Sequence, residues 1–188
     1  MVITRKQWET AGWTLLIFVL FVVTLRLMGR ISFCECGLGL WTGNPAGSDT
    51  SQLFADPYSW SHFLHGIIFY WVARKVFPRL KIQHWFLLAL ITEVGWEIWE
   101  NTPFIINRYR ETTAALGYTG DSIFNSLGDV CFMMIGFAIA HTISWRWAIG
   151  LFFVVELIML LLYRDNLTLN VLMLIYPIDV IREWQMGL

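Results

Sequence analysis

Apolar residues fall into five runs, each near the roughly 20 residues needed to cross a bilayer core, with shorter polar stretches between them. The pattern predicts helices at about 10–27, 59–76, 85–101, 121–142 and 147–163. Thr102-Pro103 closes the third run, because proline disfavours helix at the residue before it. Asp121 and Ser122 are N-cap types that open the fourth. A last apolar stretch, 167–181, is short and broken by Pro177, so it reads as a sixth span, a re-entrant piece or an interfacial helix. Residues 30–58, with their Gly, Pro, Ser and Asp, read as an extramembrane loop. A second polar loop carries Arg108, Arg110 and Glu111 and turns at 117–120. The expected fold class is all-α: a polytopic transmembrane bundle of five spans plus a short C-terminal segment, in one integral membrane domain over 1–188.

Composition sharpens this picture. Charged residues make up 14% of the chain and hydrophobic ones 57%, against about 25% charged in a soluble domain, and the mean hydropathy is +0.58. The bilayer is therefore the main partner. A formal charge of −1 excludes a general electrostatic grip on nucleic acid. Eleven Trp suit interfacial belts. Arg5 and Lys6, the 74–81 loop and Arg146 are basic and the 31–58 loop is acidic, so the N-terminus is expected in the cytoplasm. Arg108 and Arg110 run against that rule and are read as holding an anionic group at the outer face. The basic start before the first run resembles a signal peptide, but no small-x-small site follows and Phe33 before Cys34 spoils a lipoprotein site, so a retained anchor is expected.

Candidate chemistry sits where three runs meet one membrane face. His62 and His65, then Glu93, Glu97 and Glu100, then Asp121, Asn125 and Asp129 are each three or four residues apart, on one helical face. Counting inward from flush helix ends gives two layers about 6 Å apart: His62, Glu97 and Asn125, then His65, Glu93 and Asp129. Ionisable groups inside spans are costly and point to function. Imidazole with carboxylate suits a divalent metal such as zinc, with His62, His65 and Glu97 as ligands. Glu93, Glu97 and Asp129 are the candidate catalytic acids and bases, and Glu100, Arg108, Arg110, Asp121 and Asn125 the substrate-binding group. The plainer alternative is that these groups pair with one another, or with Arg26, Arg108 or Arg110, and only fasten helices.

Other polar positions carry weaker expectations. Cys34 and Cys36 are close enough that a bridge would be strained, leaving metal binding or redox lability beside ordinary oxidised loop cysteines. Cys131 reads as packing, and His84 and His141 as interfacial. Glu156 is either a proton relay or a structural partner, with the structural role preferred. Arg164, Asp165, Asn166 and Asn170 read as a lid or, more simply, a capped helix end. No nucleophile elbow, phosphate loop, dinucleotide fingerprint or His-Glu-x-x-His is present.

The blocks CECG, SQLFADPYSWSHFLHGIIFYW, EVGWEIWENTPFIINRYRE, GYTGDSIFNSLGDV and RDNLTLNVLMLIYPIDVI resemble an uncharacterised bacterial inner-membrane family, a domain of unknown function, over most of the chain. More distantly, the order of the His, Glu and Asp-Ser-x-x-Asn-x-x-x-Asp spans is similar to VanZ-like membrane proteins, associated with glycopeptide tolerance. The resemblance implies a multi-pass bacterial membrane protein and carries no activity. Leu53 stands where the SQ block of the family is associated with a His, which removes one loop ligand. The expected function is a polar, metal-binding pocket near the periplasmic face acting on an envelope or lipid-linked substrate. Its rivals are a small ion-coupled transporter and a non-catalytic accessory subunit.

Overall fold

A computed structural model describes residues 5–187, which form helices α1 (Arg5–Leu27), α2 (Ser59–Val76), α3 (Ile82–Glu100), α4 (Pro103–Thr112), α5 (Ile123–Thr142), α6 (Trp145–Tyr163), α7 (Leu167–Ile175) and α8 (Asp179–Met186). The described residues contain no strand. Three helices, α1, α5 and α6, are long and apolar enough to cross a membrane. Helices α2 and α3, of 18 and 19 residues, are similarly long, but their His, Glu, Arg and Lys residues lower their apolarity.

Polarity is distributed inside-out. Leu15, Val19 and Val23 of α1 and Phe153, Leu157 and Leu161 of α6 are exposed, whereas Glu93, Glu97, Asn125 and Asp129 are buried. Lipid makes that arrangement favourable, since apolar side chains cost nothing there and polar ones must find partners within the bundle.

Helices α2 and α5 form the tightest pair. At their crossing, a Cβ on Gly66 would stand 2.0 Å from the Met133 carbonyl oxygen, and one on Gly136 would stand 2.0 Å from that of Phe63. Only glycine lets the two backbones meet, the small-residue packing available to helices in lipid. Leu64, Ile67, Tyr70, Leu90, Val130, Met133 and Phe137 fill the core beyond that crossing, and Phe21 and Leu25 of α1 close it.

Two expectations change. The loop holding Arg108 and Arg110 is helix α4: Thr102 caps it, accepting from the Ile105 amide, and Pro103 takes the first turn, where its missing N–H costs nothing. The 167–181 stretch is no sixth span. It breaks around Pro177 into α7 and α8, and nine residues of α7 extend only about 14 Å against a core of about 30 Å. Glu156 explains where α7 starts: its carboxylate accepts from the Leu167 and Thr168 amides at 2.9 and 3.1 Å. A negative charge at orphan amides of a helix N-terminus is a stabilising structural pairing.

The alanine substitution Gly136→Ala is expected to force α2 and α5 apart and destabilise the protein by on the order of 1–3 kcal/mol, the usual cost of overpacking. Thermal unfolding in detergent would read this as a lowered midpoint, and an unchanged midpoint would contradict the crossing.

Candidate functional site

The start of α2, the end of α3 and the start of α5 come together at one end of the bundle, and local sequence explains how. Asp56 accepts from the Tyr58 amide at 2.7 Å while Ser59 Oγ accepts from the Asp56 amide at 3.1 Å. These bonds close the Asp56–Ser59 turn, with Pro57 inside it, that leads the chain into α2. Asn101, just past α3, donates from Nδ2 to Asp121 at 2.7 Å and accepts from the Asp121 amide at 2.8 Å. Ser122 caps α5 by accepting from the Asn125 amide at 3.1 Å, and its hydroxyl donates to the Gln52 carbonyl at 2.8 Å. Arg30 donates to the carbonyls of Asp121 and Thr119 at 2.9 and 2.8 Å. The 28–58 segment is thus tied across this end as a cover.

Beneath the cover, one carboxylate holds both imidazoles. Glu93, fully buried, stands 2.6 Å from His62 Nδ1 through Oε1 and 3.0 Å from His65 Nδ1 through Oε2. An ionised carboxylate only accepts, so both rings carry their proton on Nδ1. Nε2 of each ring is then left to act as a base or a ligand. His62 Nε2 is 4.0 Å from Asp129 Oδ2, and Asp129 Oδ1 accepts from Ser59 Oγ at 2.6 Å. His65 is steadied by Phe69, stacked at 5.5 Å between ring centroids.

Glu97 is different. Its Oε1 is 3.2 Å from His62 Nδ1, but that nitrogen has one hydrogen and Glu93 takes it at the shorter distance. Both Glu97 oxygens are buried without a hydrogen-bond partner, as is the Ser61 hydroxyl. Two groups of side chains could surround an ion: His62, His65 and Glu93, and His62, Glu97 and Glu100. In the first, the 2.6 Å contact between His62 and Glu93 is a hydrogen bond, shorter than the ~3.3 Å between two ligands on a tetrahedral ion with bonds near 2.0 Å. Glu93 therefore serves better as the carboxylate behind the histidines than as a ligand beside them.

A cavity of about 70 Å³ opens over this cluster. His62, His65, Asp56, Glu100, Asp121, Asp129 and Asp165 line it, with Tyr58, Tyr109, Tyr118, Ser61 and Asn125, and no Lys or Arg contributes. Its wall is acidic and aromatic. Burial raises the Asp56 carboxyl above its usual range, with the amides of Ser51 and Tyr58 opposing.

The sequence-predicted residues do not all arrive. His62, His65, Glu100, Asp121, Asn125 and Asp129 line the cavity, whereas Glu93 and Glu97 lie behind its wall. The two flush layers give way to a hub: His62 meets Glu93, Glu97 and Asp129 together. Glu93 stands between the two histidine levels and serves both, and Asn125 turns away to donate to the Leu53 carbonyl at 2.7 Å. Arg108 and Arg110 point elsewhere. Arg108 Nε donates to the Leu174 carbonyl at 2.9 Å, satisfying the end of α7, and Arg110 donates to the Tyr118 carbonyl. Cys34 and Cys36 are joined as a disulfide, which removes them as metal ligands. Asn166 caps α7, accepting from the Leu169 amide at 2.8 Å, and its neighbour Asp165 also reaches the cavity. Asp56, Tyr58, Tyr109 and Tyr118 escaped sequence reasoning. The Asp-Pro-x-Ser start of α2 is the signal that could have found the first; the tyrosines carry none.

An all-helical protein with membrane-type helices and a buried histidine–carboxylate cluster is the class that this fold and site define. The chain belongs to the family described as "Protein of unknown function (DUF2585)", which matches residues 25–187. It is 44% identical over 186 residues to a UPF0314 protein of Sphingopyxis alaskensis, covering 98% of this chain and 97% of that one. It is 46% identical over 175 residues to a UPF0314 protein of Agrobacterium fabrum, covering 92% and 87%, and 45% identical over 174 residues to one of Rhizobium etli, covering 91% and 88%. No solved structure matches it.

Burial pushes the Asp165 carboxyl up from 3.8 to about 7, against the hydrogen bonds of Asn166, Asn170 and Gln185 and with help from Glu156. The folded state therefore holds this proton more tightly than the unfolded chain. Its contribution to stability is complete below about pH 4 and is lost as pH rises through about 7. Asp165→Asn keeps the acceptor and removes the charge. Its melting point is expected to match the parent near pH 4 and to exceed it at pH 8; a difference that stays constant across that range would contradict the buried carboxyl.

Proposed function

We propose that this is a multi-pass bacterial inner-membrane metalloprotein in which α2 and α3 cross the bilayer with α1, α5 and α6, the N-terminus is cytoplasmic, and the cavity opens to the periplasmic side. The carrying observation is Glu93 gripping both histidines by Nδ1 beside a carboxyl-lined space free of Lys and Arg. His62 and His65, with a carboxylate from Asp129 or Glu100, would hold a divalent ion such as zinc. Glu97, buried with both oxygens unpartnered, supplies further negative charge at the ion or joins its ligands after a rotamer change.

The ion, when bound, would supply Lewis-acid activation of water. Whichever of Asp129 and Glu100 is not a ligand would be the proton acceptor. The reaction class is hydrolysis or transfer on an envelope or lipid-linked substrate, a choice that rests on the cavity's depth at one membrane face. An anionic substrate group finds no cationic side chain on the cavity wall, so the metal must hold it. A proton-coupled carrier is the weaker reading: Glu156 is engaged with the α7 amides, and Leu90, Met133 and Phe137 make the path beyond Glu93 apolar.

Protein purified in mild detergent without chelator is expected to carry about one equivalent of divalent metal and to be stabilised by adding it. His65→Ala should abolish both effects, and Glu93→Gln should weaken binding by about 10–100-fold, the usual cost of losing the carboxylate behind a ligand. Absence of stoichiometric metal, together with no metal-dependent stabilisation, overturns the proposal. Mass spectrometry of copurifying lipids tests the substrate class.

A further inference from the structure

At the opposite end of the bundle, a groove of about 750 Å³ runs between α2 and α6. Ile67, Trp71, Ile149 and Phe152 form its apolar walls, and Arg74 and Lys75 stand at its head. We infer that this groove binds one anionic glycerophospholipid, with an acyl chain along the apolar walls and the phosphate at Arg74 and Lys75. This site is separate from the histidine cluster: it rests on the proposed placement of α2 across the bilayer and not on the chemistry proposed for the cluster.

Three observations carry the inference. The first is shape: from Lys75 to Ile67 the groove follows nine residues of α2, about 12 Å from first to last, close to the depth of one leaflet's share of a hydrocarbon core of about 30 Å. A lipid of that leaflet would lie along the groove with its head at the charged end. The second is charge. Residues 74–86 and 141–147, the turns at this end, hold Arg74, Lys75, Arg79, Lys81 and Arg146 and no Asp or Glu. Among the described residues, every ion pair lies elsewhere, so neither Arg74 nor Lys75 is neutralised by a carboxylate. The third is preorganisation. Arg74 donates to the Tyr70 hydroxyl at 3.1 Å, and its guanidinium sits 5.1 Å from the Trp71 ring centroid. Stacked on the aromatic wall, it is held at the groove's head with most of its N–H groups available to phosphate oxygens.

The test uses the full chain in nanodiscs of phosphatidylcholine with or without phosphatidylglycerol, followed by native mass spectrometry and thermal unfolding. One phosphatidylglycerol should be retained in preference to phosphatidylcholine, and its presence should raise the melting point. The double variant Arg74→Gln/Lys75→Gln is expected to lower retention roughly ten-fold, as for loss of charge-assisted contacts, while Arg79→Gln/Lys81→Gln, outside the groove, leaves it near the parent value. Ile149→Trp, which narrows the apolar part without touching charge, should also reduce retention. If Arg74→Gln disturbs folding through Tyr70, Lys75→Gln alone still has to weaken retention. Equal losses from both basic pairs would reduce the effect to general surface attraction and overturn the site. So would indifference to headgroup charge, or a dimer in the native mass spectrum that Ile149→Trp dissolves, which would make a second copy the occupant.

Discussion

A carboxylate that no solvent reaches, in the middle of a helix bundle, needs a partner for each oxygen, and the two imidazoles of α2 meet that need for Glu93. Insertion scales put an acid at the centre of a span at about +2.5–3.5 kcal/mol, so an unpaired Glu93 would weigh heavily against the bundle. Pairing has consequences beyond neutralising that cost. It fixes the register of α3 against α2, because one side chain must meet residues three apart. It fixes both ring orientations and places both ring protons on Nδ1. On its other side, His62 Nε2 lies 4.0 Å from Asp129 Oδ2.

The polar groups around this hub fall into two sets. Asp56, Asp121, Asn125 and Asp129 each have short hydrogen bonds to groups that position helix ends or the covering segment. Those bonds explain their presence without any ligand. Glu97 and Ser61 have no such bonds. Burying a polar atom without a partner costs free energy that native folds rarely tolerate, and the places where they do are the places to look for a bound species. The contrast between Asp129, bonded on one oxygen, and Glu97, bonded on neither, singles out Glu97 within the cluster.

Sequence patterning located most of the long helices because apolar runs of that length have few alternatives, and it brought the right helix ends together because proline, asparagine and serine punctuate them. It also identified the histidine and acid faces by their three-and-four spacing. Depth was less legible. Flush layers cannot be read for side chains as long as glutamate, and Glu93 reaches both histidine levels. Arg108 and Arg110 suggested a phosphate clamp by charge alone, whereas carbonyls at the end of α7 and at Tyr118 claim them. Residues such as Tyr109 and Tyr118 reach the cavity through the fold of a segment that hydropathy reads only as polar, so no local pattern announces them. Helix α4 was missed for the same reason: its Thr-Pro start looks like a stop for the helix before it, and one signal served both ends.

Charge divides the bundle lengthwise. Acids and histidines collect under the cover formed by residues 28–58, and the turns at the far end are basic, with the Gly66–Gly136 crossing and an apolar core between them. That separation limits what the cavity can accept. Five carboxyl groups line it and no Lys or Arg does, so an anion finds no cationic side chain on the wall. On the proposed metal reading, those carboxyl groups would match a cation held beside His62 and His65, and binding would be ordered by electrostatics: the cation first, and an anionic group only onto the cation.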